Sequence, residues 1–212
     1  MPIPSEELLK EKSLLDVYFA SRCISVSRLN QSITFVSMVL LALYAWFSPE
    51  PTHQFADRVR AIADYGFSFA TSILSFLIAG FTIYLTVTKI DHLILMASLR
   101  HENGLPWVKH IAFSFLRIMA VYVVYCLACI GVKIFASSGG PLAILIDALS
   151  GADQVKHCIA RIGIVVLGGA TIHLVLLLQS FIFNIYNTSV TVLCLDIEER
   201  EKAGSNSDGA QE

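Results

Sequence analysis

The chain has 212 residues, of which 55% are hydrophobic and only 15% charged, with a formal net charge of −2. An average soluble domain carries roughly 25% charged residues, so the composition points to lipid as the solvent. The near-neutral balance, with no strong basic patch, argues against direct nucleic-acid binding.

The missing charges are concentrated: none falls within 29–48, 65–88 or 162–195. Each gap is long enough for the roughly 20 helical residues that cross a hydrocarbon core of about 30 Å. A fourth stretch, 111–136, is equally apolar but holds Arg117 and Lys133 towards its two ends. The expected fold is therefore all-α, a polytopic membrane protein with four transmembrane helices at about 30–48, 65–88, 111–136 and 162–187. A cytoplasmic amphipathic helix is expected over 1–29, before a transmembrane domain of 30–195, with a flexible cytoplasmic tail over 196–212. A separate soluble catalytic domain does not fit in what remains.

Residues 5–28 read as a helix. Ser5 can cap it, Glu6 and Glu7 suit the positive end of the helix dipole, and Leu8, Leu15, Tyr18, Phe19 and Arg22 recur at helical spacing. This helix either lies on the inner leaflet or packs against the inner ends of the spans. The first apolar segment begins only near residue 29 and lacks a small-x-small cleavage site, so it reads as a retained anchor. Pro49 and Pro51 stop it, and Tyr44, Trp46 and Phe47 fall where an interfacial aromatic belt would lie. Asp57, Arg58, Arg60 and Asp64 then alternate in sign, as in a short solvated turn of helix leading into the second span.

In the second span Ser68, Ser72, Ser75, Ala79, Thr82 and Thr86 follow at steps of four and three, one stripe of small or hydroxyl side chains. Small residues let helix backbones approach closely, and such contacts with interhelical hydrogen bonds drive association in lipid. The stripe is either a helix seam that predicts oligomerisation or the lining of an aqueous path. Phe67, Leu74, Phe76, Leu77, Ile78, Phe81 and Leu85 suit lipid or apolar packing. The span is expected to continue as helix to about Arg100, and Asn103-Gly104 with Pro106 marks the following turn. Lys89, Asp91, His92, Arg100 and Glu102 here, with Glu198 and Glu199 near the C-terminus, are candidate contacts for a soluble cytoplasmic protein.

Arg117 is shallow enough in the third span for its stem to snorkel to the headgroups. Cys126 and Cys129 form a C-x-x-C inside this span, where helix packing is the favoured role over metal or redox use. The loop after it opens with Ser137-Ser138-Gly139-Gly140-Pro141 and continues as an apolar run, 142–149, broken only by Asp147. That run is too short to span; it suits a half-buried interfacial helix, with a re-entrant segment as the alternative. Asp147 and Asp153 are ordinary solvated carboxylates, or a ring at a pore mouth if subunits surround an axis.

The fourth stretch outruns the hydrocarbon and must tilt, kink or project, and Asn184, Asn187, Thr188, Ser189 and Thr191 at its inner end favour projection. Within it His173 and Gln179 are intramembrane polar groups, read as structural hydrogen bonders with ion handling as the sharper alternative. Gly163, Gly168 and Gly169 permit a close crossing or a bend. Nine Lys and Arg residues flank the sides expected to be inside (10, 12, 22, 28, 89, 100, 109, 200, 202), against five outside (58, 60, 133, 156, 161). The positive-inside rule then puts both termini in the cytoplasm. No nucleotide-binding loop, zinc-protease helix or nucleophile elbow occurs, so the chain is expected to be non-enzymatic, without cofactor or metal.

Four spans in about 200 residues, an inner N-terminal helix, the hydroxyl-rich second span ending in FLIAGFTIYLTVT (76–88) and a short polar tail together resemble the membrane subunit of the Kiwa anti-phage defence system. The resemblance is architectural and covers the whole chain. It implies a homo-oligomeric inner-membrane protein, a tetramer by preference, that senses phage attack and holds a soluble DNA-binding partner at the cytoplasmic face. It transfers no residue role.

Overall fold

Long runs of Leu, Ala, Phe and Ile without internal Pro leave the backbone no better solution in an apolar medium than to satisfy its own hydrogen bonds as helix. The computed structural model describes residues 27–89, 106–137, 139–148 and 152–208, with positions 16, 20, 21, 93, 94, 96 and 97. Among the described residues lie five helices: α1 Arg28–Phe47, α2 Thr52–Val87, α3 Trp107–Phe135, α4 Pro141–Asp147 and α5 Ala152–Asp208. No strand occurs among them. Helices α1, α2, α3 and α5 are each long and apolar enough to cross a membrane.

The helices are inside-out by the standard of a water-soluble domain. In α1 only Asn30 and Ala45 are buried, while Phe35 and Leu40 are 68% and 61% exposed. Contiguous apolar surface of that extent requires an apolar neighbour, which lipid supplies.

Helix α2 begins at Thr52, far before the charge-free stretch. The alternating charges that open it sit on solvated turns, paired as Arg58 with Glu50 and Arg60 with Asp57, each at 2.8 Å. It ends at Val87, with Thr88 in a bend and Lys89 non-helical. The expected continuation to Arg100 is therefore interrupted at Thr88. The β-branched Thr86-Val87-Thr88 is a weak helix-forming end, and Thr88 turns its hydroxyl back to the Tyr84 carbonyl at 2.7 Å.

The loop run after α3 forms the short helix α4, with Pro141 in its first turn and Gly139 at φ 74° in the turn before it. Helix α5 has 57 residues, about 85 Å at 1.5 Å per residue. It continues beyond 196, where composition suggests a flexible tail. The sequence from Asp196 to Asp208 contains no Pro, and Glu198 stands four residues before Lys202, a spacing that favours helix. Most of the expected N-terminal helix, 1–29, lies outside the described residues.

The chain divides into two compact units, one of 25–81 with 118–178, the other of 1–24, 82–117 and 179–212. The larger unit centres on Phe55, Ala63, Ala70 and Leu77 of α2, Tyr122 and Cys129 of α3, and Ile164, Leu167 and Leu174 of α5, all buried. Close helix approach there depends on glycine. A Cβ at Gly163 would meet Val59 at 3.1 Å, one at Gly168 would meet Leu41 at 3.0 Å, and one at Gly169 would collide with Met38. The smaller unit packs Phe115 edge-on to Phe181 at 4.8 Å and parallel to Tyr84 at 6.0 Å.

Candidate functional site

Helical periodicity puts the hydroxyl stripe on one face of α2, and the packing of that helix decides what the face meets. The buried positions of α2 are Phe55, Val59, Ala63, Gly66, Ala70 and Leu77. Ser68, Ser72, Ser75, Ala79, Thr82 and Thr86 are all exposed, so the chain's own helices do not cover the stripe. Its hydroxyls fold back on the helix: Ser68 donates to the Asp64 carbonyl at 3.1 Å, Ser72 to Ser68 at 2.8 Å, Ser75 to Thr71 at 2.9 Å and Thr86 to Thr82 at 3.0 Å. Each donor is thus satisfied without water, and the face remains low in profile. That combination suits an approaching helix better than it suits bare acyl chains.

Of the apolar residues on the same helix, Phe76, Ile78 and Leu85 are exposed and Leu77 is fully buried. The apolar side of α2 is therefore divided between the core and the exposed surface.

His173 does not stand alone in its helix. Its Nδ1 lies 3.1 Å from the Thr34 hydroxyl, and that hydroxyl donates to the Asn30 carbonyl at 2.8 Å. With its single proton committed, Thr34 accepts from an Nδ1–H, which fixes the imidazole tautomer. Asn30 completes this α1–α5 contact by donating to the Leu176 carbonyl at 3.0 Å. One helix along, Tyr122 donates to Leu174 at 2.9 Å, and Tyr125 meets the Thr171 hydroxyl at 2.6 Å. Gln179 is exposed and takes no part. Sequence spacing identified His173 but not Asn30, Tyr122 or Tyr125. Asn30 carried the only available signal, a polar residue at the very start of an uncharged run.

At the end of the larger unit where α1 stops and α5 begins, charge and aromatic side chains interlock. Arg161 lies over the rings of Trp46 and Phe55 at 5.6 and 5.7 Å and reaches the Ser48 carbonyl at 3.5 Å. Glu50 accepts from Arg58 and from Tyr44, and Arg58 also bonds the Tyr44 hydroxyl. His157 meets Thr52 at 2.9 Å and the edge of Phe55. Trp46 and Phe47 remain largely exposed, as a membrane-interface belt requires. On the third span, Lys133 pairs with Asp64 at 2.9 Å and lies over Phe67, and Asp147 pairs with Lys156.

In the smaller unit, Arg117 donates to the Ser21 carbonyl at 3.3 Å, tying that residue to α3. A cavity of about 460 Å³ lies between Trp107, His110 and Ser114 of α3 and Asn184, Asn187 and Thr191 of α5. The polar cluster of α5 therefore forms one wall of a pocket. Among the proposed partner contacts, Lys89 is exposed. Asp91, His92, Arg100 and Glu102 lie outside the described residues, as do the side chains of Glu198 and Glu199, whose backbone is helical.

No family model, curated protein or solved structure matches the chain. The class is set by the fold itself: an all-helical protein whose four long apolar helices mark it as a membrane protein.

Proposed function

We propose that the protein is a non-enzymatic, homo-oligomeric scaffold and sensor of the bacterial inner membrane that recruits a soluble cytoplasmic effector, with both termini cytoplasmic and a role in anti-phage defence. The observation that carries this reading is the exposure of the whole α2 stripe, from Ser68 to Thr86. A small, hydroxyl-bearing face with its donors internally satisfied gains from close helix contact, and a second copy supplies the matching face. The length of α5, well beyond what a bilayer requires, supports recruitment by giving a partner a helix to grip. The defence role rests on the architectural resemblance to the Kiwa membrane subunit.

Native mass spectrometry of the detergent-solubilised chain tests assembly. The wild type is expected to be oligomeric, tetrameric by preference, and Ser72→Leu with Ala79→Leu to be monomeric. A monomeric wild type removes the assembly reading. Recruitment is tested by co-purification with the products of neighbouring genes, which is expected to be lost when 89–104 and 196–212 are replaced. The second reading is an oligomeric channel lined by the same hydroxyls, favoured by their unbroken exposure. Ion flux through liposomes holding the purified protein, altered by Ser75→Leu, would establish it.

A further inference from the structure

The larger unit carries a second cavity, of about 920 Å³, bounded by the first turns of α2 and α5, the last turns of α3, and α4. Its floor is made of short side chains on facing helices: Ala128 and Gly131 of α3, Ala160 and Gly163 of α5, with Val59 and Val132 beside them. Its polar residues gather towards the helix ends, where Arg60, Asp147, Asp153 and Lys156 bring both signs of charge to one rim.

The rim retains capacity to bind. Arg60 donates from Nε to the Ala136 carbonyl and from one terminal nitrogen to Asp57, which leaves guanidinium donors for an anionic oxygen. Asp153 has no ion-pair partner among the described residues. The groove is also shallow. Ala128 lies seven residues before the end of α3, about 10 Å at 1.5 Å per residue, and Gly163 about 16 Å from the start of α5. A spanning helix needs a groove along the full hydrocarbon thickness of about 30 Å. A groove confined to one end, apolar in its depth and dipolar at its mouth, fits an amphiphile.

We propose that this groove is a phospholipid site, in which an acyl chain lies over the Gly131, Ala160 and Gly163 floor and a zwitterionic headgroup bridges the rim, its phosphate on Arg60 and its ammonium on Asp153. The cavity is within the range of about 300–1,000 Å³ typical of ligand sites. Phosphatidylethanolamine meets both ends of the rim with opposite charge, whereas phosphatidylglycerol offers Asp153 only neutral glycerol hydroxyls, which make weaker hydrogen bonds to a carboxylate than an ammonium does.

Native mass spectrometry of the full-length, delipidated chain titrated with dioleoyl phosphatidylethanolamine or phosphatidylglycerol tests the site. One tightly held phosphatidylethanolamine per chain is expected, with at least tenfold preference over phosphatidylglycerol. Gly131→Leu should abolish retention. Asp153→Asn, at an exposed position that does not endanger folding, should erase the preference while leaving phosphatidylglycerol binding in place. Equal binding of the two lipids by the wild type overturns the proposal, as does a preference unchanged in Asp153→Asn. Retained lipid in Gly131→Leu together with a lost oligomer assigns the groove to a second copy and equally overturns it.

Discussion

Gly66 of α2 lies against the phenol oxygen of Tyr125 of α3, so closely that a Cβ added to Gly66 would overlap it. The same hydroxyl is 2.6 Å from Thr171 of α5. Because Thr171 donates its own proton to the Leu167 carbonyl at 2.8 Å, Tyr125 is the donor to Thr171. Three helices are thereby joined at one point, and the joint exists only because α2 presents no side chain there.

Gly66→Ala is expected to destabilise the protein by about 1–3 kcal/mol through overpacking. The loss should shrink in a Tyr125→Phe background, where the obstructing oxygen is gone. Tyr125→Phe alone should cost about 0.6 kcal/mol, a typical interhelical hydrogen bond in a membrane protein. Unfolding in mixed micelles measures all three variants, and an equal Gly66→Ala cost in both backgrounds contradicts the contact.

This joint shows how far the sequence could be read. Absence of charge located three of the four long apolar helices, and the apolar composition of 111–136 located the fourth despite Arg117 and Lys133. The charged turn with Asp57, Arg58, Arg60 and Asp64, read as helix leading into the second span, is indeed part of α2, which begins at Thr52; absence of charge marks the apolar stretch and not the helix end. Periodicity placed Ser68 to Thr86 on one face but could not tell whether that face is covered, which depends on where α3 and α5 pack. Gly163, Gly168 and Gly169 announced a close crossing, whereas Gly66, alone among larger residues, did not. The partners of His173 and Arg117 lie 139 and 96 residues away in the chain, beyond any local pattern.

The His173 imidazole should carry a proton on Nδ1, as its position beside a hydroxyl already donating to Asn30 requires. Nitrogen NMR of the selectively labelled protein reads the tautomer directly, and an Nε2–H form contradicts the assignment. A double-mutant cycle of Thr34→Val with His173→Phe should give a coupling of about 0.6 kcal/mol, within the range for intramembrane hydrogen bonds.

The Arg161 guanidinium lies over both Trp46 and Phe55, a pair of contacts that the compact ammonium of a lysine reproduces less well. Arg161→Leu should lower stability by about 1–2 kcal/mol, the sum of two cation–π contacts of about 0.5–1 kcal/mol each, and Arg161→Lys should restore only part. Thermal unfolding followed by Trp46 emission in a Trp107→Phe background checks this. Unchanged stability in Arg161→Leu would show that the stacking contributes nothing.

The proposed cytoplasmic placement of both termini predicts that a C-terminal green fluorescent protein fusion is fluorescent and a C-terminal alkaline phosphatase fusion inactive. The opposite pair of results would reverse the orientation taken from the Lys and Arg distribution.

The central claim is that the exposed α2 stripe is where copies of the chain meet. Single cysteines placed at Ser72, Ser75 or Ala79 in an otherwise cysteine-free chain, and oxidised in native membranes, test it most directly. The stripe positions are expected to form disulfide-linked dimers, while cysteine at Val124, exposed on α3, stays monomeric. Cross-linking at Val124 with none along the stripe would contradict the account.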